Sequence, residues 1–343
     1  MTYKNRYHYK MTRFENLQQF INVQLNAKSH TLNAITGDAS FRRYYRLNHD
    51  NKYLIVMDSD PKKVNNEPYI SLNKVFTEQG FLLPSIIASD EQQGFFILSD
   101  LGSTHLADML DDKNKIEHYK ALISLNAQWA KTPSASAMQA YSKDFIQFEL
   151  GIFSQWLVSD FISELLTTEQ VAMWHSSCEL LTNAMLLQPT VTVHRDYHSR
   201  NIMYSNGQWA IIDYQDAVQG PLCYDLVSLL RDCYYKLPES ELSSLLDFAY
   251  KEFIAQGLIK NTSFSEFKYW FDLTGIQRHL KAAGIFCRLY LRDSKTGYLD
   301  NILPTLDYIV EVVAHYPELS DLSEWIKNTI VPKVTKQLAV ERT

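Results

Sequence analysis

The most informative stretch for predicting the fold is VTVHRDYHSRNIMYSNGQWAIIDYQDA, residues 191–217. Two largely apolar runs, 201–204 and 208–212, flank Ser205-Asn206-Gly207. Asn-Gly between such runs is typical of a two-residue β-hairpin turn, because both positions tolerate a positive φ. The stretch therefore predicts a β-hairpin with polar segments at both of its ends.

Three polar side chains lie around this hairpin at sequence spacings that suit a catalytic site. Asp196 is in the loop before it, Asn201 opens its first strand, and Asp213 follows its second strand. A phosphoryl transfer needs a carboxylate near the alcohol proton and two oxygen ligands that hold Mg²⁺ against the phosphates of ATP. We expect Asp196 to be the catalytic base and Asn201 and Asp213 to be the metal ligands. A polar loop without chemistry is the alternative, which the three matching offsets disfavour.

The rest of the chain divides into two parts of different character. Periodicity predicts helices over 13–26 and 67–79, and strands over 40–47, 52–57, 86–89 and 94–99. Beyond Asp100-Leu101-Gly102 helical spacing dominates, at about 116–129, 145–157 and 163–187 and again from about 224 onward. We expect an α+β fold with a small β-rich lobe at 1–100 and a large, mainly helical lobe at 101–343.

The composition is that of a globular enzyme. Of 343 residues, 46 % are hydrophobic and 21 % are charged, and the net charge is −6. This charge disfavours nucleic-acid and anionic-membrane partners, and no apolar run approaches the ~20 residues that span a bilayer. The first residues lack a signal-type apolar stretch, and the four cysteines form no C-x-x-C pair. We expect a cytoplasmic protein that is a monomer or a weak dimer.

A family resemblance rests on the segment 194–226. His194-Arg195-Asp196 and Asn201 match the H-R-D-x-x-x-x-N catalytic loop of protein kinases, with Asp213 in the place of the D-F-G aspartate. With His198, Gly220 and Asp225-Leu226, the segment resembles the aminoglycoside phosphotransferase and choline kinase-like family, and the resemblance covers nearly the whole chain. The family's fold is similar to that of protein kinases, and its cofactors are ATP and Mg²⁺.

The same resemblance assigns supporting residues. It implies that His194 and Asp225 brace the catalytic loop, and that His198 either braces it or contacts the substrate. An alternative for Asp225 is the N-cap of the helix that follows.

Four separated blocks resemble a narrower group, the bacterial cell-wall-recycling kinases that phosphorylate the anomeric hydroxyl of N-acetylmuramate and N-acetylglucosamine. The blocks are 37–46 (GDASFRRYYR), 56–58 (VMD), 96–102 (FILSDLG) and 277–286 (QRHLKAAGIF). This resemblance implies an amino-sugar acceptor. An aminoglycoside or choline-type acceptor is the alternative: no dense acidic cluster stands out for the first, while 21 tyrosines leave an aromatic cage open for the second.

The resemblance also implies where ATP binds. Asp38, Ala39 and Ser40 stand in the place of a kinase's phosphate-covering loop, although the G-x-G-x-x-G pattern is absent. Their backbone N–H groups are expected to contact phosphate oxygens, with an ordinary turn as the alternative. The backbone from Ser99 to Leu101 is expected to bind the adenine edge, between apolar walls that include Val56 and Ile212.

The third strand departs from the kinase pattern. Met57 occupies the position where V-A-I-K motifs carry the lysine that neutralises the ATP phosphates. Either an arginine of the neighbouring strand replaces it, namely Arg42, Arg43 or Arg46, or the chain is a pseudokinase that only binds nucleotide. We take Arg43 as a candidate ATP ligand, although alternation separates it from the other two. Glu67 either forms an ion pair with the arginine that replaces the lysine or is exposed to solvent.

A late helix supplies candidates for acceptor binding. Arg278 and Lys281 lie three residues apart and share a helix face. An arginine fork suits the lactyl carboxylate of N-acetylmuramate. The alternative is a solvated helix face beside an apolar one.

Overall fold

The structure is a computed structural model that describes residues 11–26, 30–35, 41–110 and 113–341. The predicted phosphate-contacting residues Asp38, Ala39 and Ser40 lie outside these ranges.

A five-stranded antiparallel sheet forms the small lobe, with the strand order β1–β2–β3–β5–β4. The strands are β1 (Asn33–Ile35), β2 (Arg43–His49), β3 (Lys52–Asp58), β4 (Ile86–Asp90) and β5 (Phe95–Ser99). Asp50 and Asn51 connect β2 to β3 in a two-residue turn, with φ values of 49° and 59°. Asp and Asn tolerate this left-handed conformation, and the turn fixes the register of the two strands.

One helix covers each face of this sheet. On one face, α1 (Arg13–Gln24) packs Leu17 and Phe20 against Val56. On the other face, α2 (Glu67–Glu78) packs beside Met57 in the main core of the molecule. Neighbouring residues of a strand point to opposite faces, so Val56 and Met57 belong to two different apolar clusters.

Helices build most of the large lobe. They are α3 (Lys115–Ala130), α4 (Lys143–Ile152), α5 (Thr168–Leu186), α6 (Cys223–Leu230), α7 (Glu239–Ala255), α8 (Phe264–Asp293), α9 (Ile302–Val313), α10 (Ser320–Trp325) and α11 (Val331–Glu341). Segments of π-helix follow α4 at Phe153–Phe161 and α10 at Ile326–Ile330. Short 3-10 helices lie at Leu106–Met109, Tyr214–Asp216, Thr296–Asn301 and Pro317–Leu319. Within the described ranges, no helix combines the length and apolarity needed to cross a membrane.

The long helix α8 is the centre of this lobe and contacts α4, α5, α6 and α9. Gly284 lets it approach the end of α4: a Cβ at this position would lie 2.5 Å from the carbonyl oxygen of Ile152. The absence of a side chain at residue 284 is therefore a condition for the close crossing.

The predicted helix over 163–187 begins later than expected. Ser163 has a φ of 52°, which ends the preceding π-helical segment. Thr167 and Gln170 then form a capping box that starts α5 at Thr168.

Five short strands carry the catalytic segment. They are β6 (Gln139–Ala140), β7 (Thr190–Val193), β8 (Ile202–Ser205), β9 (Gln208–Ile211) and β10 (Val218–Pro221). The predicted hairpin is confirmed as β8–β9, which turns at Asn206 and Gly207 with φ values of 49° and 82°. A second sheet, β6–β10–β7, holds the chain before and after it. The loop 194–201 is thus fixed at both ends by paired strands.

The main apolar core runs through both lobes. Phe76 of α2 stacks on Trp129 of α3 with ring centroids 3.8 Å apart. The predicted α+β arrangement of a small sheet lobe and a large helical lobe is confirmed, and the two lobes share one core.

Candidate active site

A cleft of about 780 Å³ lies between the sheet and the large lobe. The predicted base and metal ligands, Asp196, Asn201 and Asp213, all line it. So do other residues that the sequence assigned to ATP or the acceptor, namely Ser99, Leu101, Ile212 and His198. The cleft therefore brings together residues from the connector between the lobes (residues 99–102), the catalytic loop and the end of the hairpin.

The hairpin places Asn201 beside Asp213. The N–H of Ile212 donates to the carbonyl oxygen of Asn201 at 3.0 Å, so the two ends of the hairpin are joined. Asp213 follows with a φ of 64°, in the left-handed region, and its carboxylate accepts a hydrogen bond of 2.7 Å from Gln215. The amide nitrogen of Asn201 donates to the carbonyl oxygen of Asp196 at 3.1 Å, so its Oδ1 is the atom suited to a metal.

The electrostatics of Asp213 fit a bound cation. Its side chain is exposed to the cleft, but the surrounding protein displaces water and the Asp196 carboxylate is near, so the pKa of Asp213 is raised to about 6. Two neighbouring carboxylates and an amide oxygen are donors that Mg²⁺ prefers. Within the described ranges, no three His, Cys, Asp or Glu side chains form a metal cluster.

Asp196 is an anion in this site. Burial by itself raises the pKa of its carboxyl, but nearby positive charges, Lys281 first among them, lower it to about 2. Arg195 and Arg278 contribute to the same effect. The carboxylate is therefore ready to accept a hydrogen bond from an alcohol at neutral pH.

His194 links the backbone of Asp196 to that of Ile212. Burial lowers its pKa to about 4, so the ring is neutral. Its Nδ1 accepts a hydrogen bond of 3.2 Å from the N–H of Asp196, which leaves the proton on Nε2. That Nε2 lies 3.0 Å from the carbonyl oxygen of Ile212. One neutral ring thus fixes the spacing between Asp196 and the residue before Asp213.

Two buried carboxylates hold the backbone of the catalytic loop. Asp225 accepts hydrogen bonds from the N–H groups of His194 at 2.6 Å and Arg195 at 2.9 Å. Asp232 accepts one from Ser199 at 2.9 Å. The expectation that Asp225 is an N-cap was wrong, because α6 begins at Cys223 and Asp225 lies inside its first turn.

Glu149 gathers the positive charges beneath the loop. Its carboxylate lies 2.8 Å from both Arg195 and Lys281, and it also accepts hydrogen bonds from Tyr141 and Gln277. Burial by itself raises the pKa of Glu149, but the two cations lower it to about 2. The carboxylate at the centre of this network is closed to solvent, since Glu149 is 1 % exposed.

The predicted acceptor residues Arg278 and Lys281 lie below the cleft surface. They are 6 % and 8 % exposed, and neither lines the cleft. Lys281 is engaged with Glu149 and with the hydroxyl of Tyr224 at 2.9 Å. Both cations influence Asp196, but their direct contact with an acceptor was a wrong expectation, because the helix face that carries them is buried.

Two ATP-binding expectations on the sheet are also corrected. Arg43 is exposed and outside the cleft lining, whereas Arg42 and Arg46 line it. Val56 is buried against α1, and Ile55 lines the cleft instead. Both errors have one cause: alternation separates the faces of a strand, but the sequence does not say which face meets the cleft.

The two cleft-facing arginines have different surroundings. Arg46 forms a two-pronged ion pair with Asp100, at 2.5 and 3.0 Å, and ties the sheet to the connector. Arg42 lies over the ring of Tyr69 at 5.6 Å, and its positive charge acts on Asp213. Glu67 is exposed at the start of α2 and does not line the cleft.

Comparison with known proteins identifies the family. The profile of the phosphotransferase enzyme family matches residues 31–253, which is more than half of the chain. The chain belongs to this phosphotransferase family.

Relatives of the phosphotransferase are kinases. It is 35 % identical over 84 % of its length to an N-acetylmuramate/N-acetylglucosamine kinase of Pseudomonas aeruginosa, 86 % of which is covered. A protein of the same name from Neisseria meningitidis is 34 % identical over 91 % of this chain and 94 % of its own. The phosphotransferase is therefore an enzyme of the kinase type.

Solved structures show the fold. The choline kinase LicA from Streptococcus pneumoniae superposes with a TM-score of 0.62 at 12 % identity, covering 89 % of this chain and all of that one. The aminoglycoside phosphotransferase APH(2'')-Ib in its ADP-bound form gives 0.60 at 12 % identity, covering 87 % and 98 %. The bilobal protein-kinase-like fold of the phosphotransferase is thereby confirmed.

Sequence reasoning missed several residues of the phosphotransferase site. Asp232, Glu149 and Ile55 carry contacts that no motif indicated. Helical spacing does not point to Asp232, because it lies beyond the end of α6 and its partner Ser199 is 33 residues away. Glu149 gave no local signal either, since its partners are distant in the sequence.

Proposed function

We propose that this phosphotransferase transfers the γ-phosphoryl group of Mg²⁺-ATP to the anomeric hydroxyl of N-acetylmuramate or N-acetylglucosamine. The observation that carries the proposal is the arrangement of Asp196, Asn201 and Asp213 around one cleft. The choice of acceptor follows the relatives, which carry these two sugars in their names.

Asp196 would orient the acceptor and receive its proton. The sugar oxygen forms a bond to the γ-phosphorus while the bond between that phosphorus and the bridging oxygen of ADP breaks. A carboxylate with a pKa of about 2 is a weak base. This suffices when the alcohol is an anomeric hydroxyl, which is more acidic than an ordinary one, and when the transition state is loose.

Asn201 and Asp213 would hold Mg²⁺, which when bound neutralises charge on the β- and γ-phosphates. Arg42 adds positive charge on the sheet side of the same region. Leu101, Met203 and Ile212 form a small apolar cluster beside the connector, which suits an adenine ring. We keep Asp38, Ala39 and Ser40 as proposed phosphate contacts.

The test is turnover of purified protein with Mg²⁺-ATP and a panel of amino sugars, aminoglycosides and choline, followed by ADP release. We expect release with N-acetylmuramate and N-acetylglucosamine, and release only with aminoglycosides or choline would contradict the proposed acceptor. Nucleotide binding without turnover on any compound would instead indicate a pseudokinase.

The catalytic assignment has its own variant. Asp196→Asn should lower kcat by about 100-fold or more, since a positioned acid–base group contributes that much. Asp321→Asn, an exposed carboxylate outside the cleft, is the control and should keep full activity. Wild-type kcat in Asp196→Asn would remove Asp196 from the mechanism.

We place the reaction in the cytoplasm, where ATP is available, and cell fractionation tests this location.

A further inference from the structure

A hydrogen-bonded cluster joins helix α2 to the residue after Asp213. The side-chain amide of Asn73 donates to the hydroxyl oxygen of Tyr214 at 2.6 Å, and the hydroxyls of Tyr69 and Tyr214 are hydrogen-bonded to each other. The same amide donates to the carbonyl oxygen of Pro84 at 3.0 Å, which fixes it to the segment before β4. We call Tyr69, Asn73 and Tyr214 the tyrosine–asparagine link.

The two rings of the link are packed tightly at the wall of the cleft. Tyr69 and Tyr214 are buried, stack on each other with centroids 5.3 Å apart, and both line the cleft. Tyr69 packs edge-on against Phe96 of β5 at 5.8 Å, and Tyr214 packs edge-on against Phe76 of α2 at 6.0 Å. A ring packed on several sides moves only at the cost of these contacts. The position of the Tyr214 ring is therefore fixed relative to α2.

Two side chains with proposed roles at the nucleotide adjoin the link. Asp213 directly precedes Tyr214 and has a φ of 64°. This conformation is uncommon outside glycine, and strained backbone persists where the surrounding structure holds it. The guanidinium of Arg42 lies 5.6 Å from the centroid of the Tyr69 ring. An anchored Tyr214 thus limits the backbone rotation that would turn the Asp213 carboxylate away from the cleft.

Protein kinases position their metal and phosphate contacts with an ion pair between the β3 lysine and a helix glutamate. Here Met57 is in the place of the lysine and is fully buried, while Glu67 of α2 is exposed outside the cleft. We propose that the tyrosine–asparagine link replaces this ion pair: it fixes Tyr214 and thereby orients the Asp213 carboxylate toward the divalent cation of the nucleotide. Its members are positioning residues, since they act through Asp213. This inference rests on the proposed function.

The decisive measurement is the factor by which Mg²⁺ tightens the binding of a non-hydrolysable ATP analogue. Calorimetry gives this factor as the Kd in EDTA divided by the Kd with excess Mg²⁺. In Tyr214→Phe, which keeps the ring and loses the hydroxyl, we expect the factor to fall by about 5-fold or more, because cation binding then has to order Asp213 as well. An unchanged factor overturns the proposal, even if the variant unfolds at a lower temperature.

Tyr250→Phe is the matched control. The Tyr250 hydroxyl donates a hydrogen bond of 2.8 Å to the carbonyl oxygen of Thr262, and neither residue lines the cleft. The control therefore loses a hydrogen-bonded tyrosine hydroxyl away from the nucleotide and should keep the wild-type factor. A decrease in Tyr250→Phe equal to that in Tyr214→Phe would show a general effect of stability and would overturn the positioning role.

A double variant tests whether the members act as one unit. Asn73→Leu removes the amide donor at similar volume and should lower the factor by itself. Combined with Tyr214→Phe it should lower the factor no further than Tyr214→Phe alone, because both substitutions break the same link. Additive effects would contradict the link. A wild type that binds the analogue more tightly with Mg²⁺ but phosphorylates neither sugar would overturn the proposed function alone, which is a separate result.

Discussion

At the scale of single residues, the strand position that usually carries a lysine shows how this site differs from other kinases. Met57 is fully buried in the main core, while Arg42 lines the cleft and acts on Asp213. We therefore propose that Arg42, which directly precedes β2, supplies the positive charge opposite the phosphates. The sequence left Arg42, Arg43 and Arg46 open, and the position of Arg42 in the cleft lining with its charge acting on Asp213 favours Arg42.

Arg42→Gln should raise KM for ATP by about 10-fold, because a charged contact to phosphate is lost. Steady-state kinetics at saturating sugar measure this value. Arg43→Gln is the matched control, since it removes the same charge from the next residue, whose exposed side chain lies outside the cleft. Equal effects of the two substitutions would show that general charge, and not a contact in the cleft, is responsible.

Asp225→Asn should lower kcat more than it raises either KM. The variant keeps one oxygen acceptor but replaces the other with an amide nitrogen, which cannot accept the second of the two backbone hydrogen bonds. The loop that presents Asp196 would then be less well fixed, whereas ATP and sugar contacts remain. A purely structural role would instead lower the unfolding temperature with kcat unchanged in the folded fraction.

At the scale of elements, the contact between α8 and the end of α4 depends on one missing side chain. Gly284→Ala should destabilise the protein by about 1–3 kcal/mol, because the added methyl group overlaps the carbonyl of Ile152. Gly151→Ala is the control within α4: its added Cβ meets nothing within 4 Å, so it should stabilise by about 0.5–1 kcal/mol. Urea denaturation of both variants measures the difference, and equal midpoints would contradict the close crossing.

The elements that the sequence predicted well are those with a local cause. Helices α1 and α2 and the β8–β9 hairpin follow from periodicity and from Asn206-Gly207. The strands β1, β6 and β10 were missed because they are two to four residues long, and β6 and β10 also pair with segments distant in the sequence.

The candidate site divides in the same way. The motif placed Asp196, Asn201 and Asp213 in one loop and hairpin, and the structure brings them into one cleft. Arg43 and Val56 were assigned to the wrong side because the orientation of a strand relative to a cleft depends on tertiary packing. Lys281 was misjudged because its partner Glu149 is far away in the sequence.

At the scale of the whole molecule, buried histidines make stability depend on pH. His279 stacks on Tyr308 and lies 2.9 Å from the carbonyl oxygen of Arg231, and burial lowers its pKa to about 3 from the ordinary 6.5. Between these values the unfolded chain binds a proton that the folded protein does not. The contribution of His279 to stability is therefore complete above about pH 6.5 and is lost as the pH falls.

We expect wild type to lose about 2 kcal/mol of unfolding free energy between pH 7 and pH 5 through His279. His279→Gln should lack this part of the loss, so the difference between the two proteins should shrink toward acid. Burial raises the pKa of Asp225 to about 7, so its effect on stability changes with pH in the opposite direction. Comparing the two proteins at each pH separates the effect of His279 from that of Asp225. A difference that stays constant from pH 7 to pH 5 would show that His279 titrates normally.

The ion pair between Glu149 and Arg195 has a consequence for control of the enzyme. In protein kinases, activation loops are ordered when phosphorylation creates new arginine–phosphate pairs. Here a carboxylate of the chain itself permanently supplies the negative partner of the arginine next to Asp196. We expect phosphatase-treated protein to turn over at the full rate. The reaction rate would then depend on the concentrations of sugar and nucleotide and not on activation by phosphorylation.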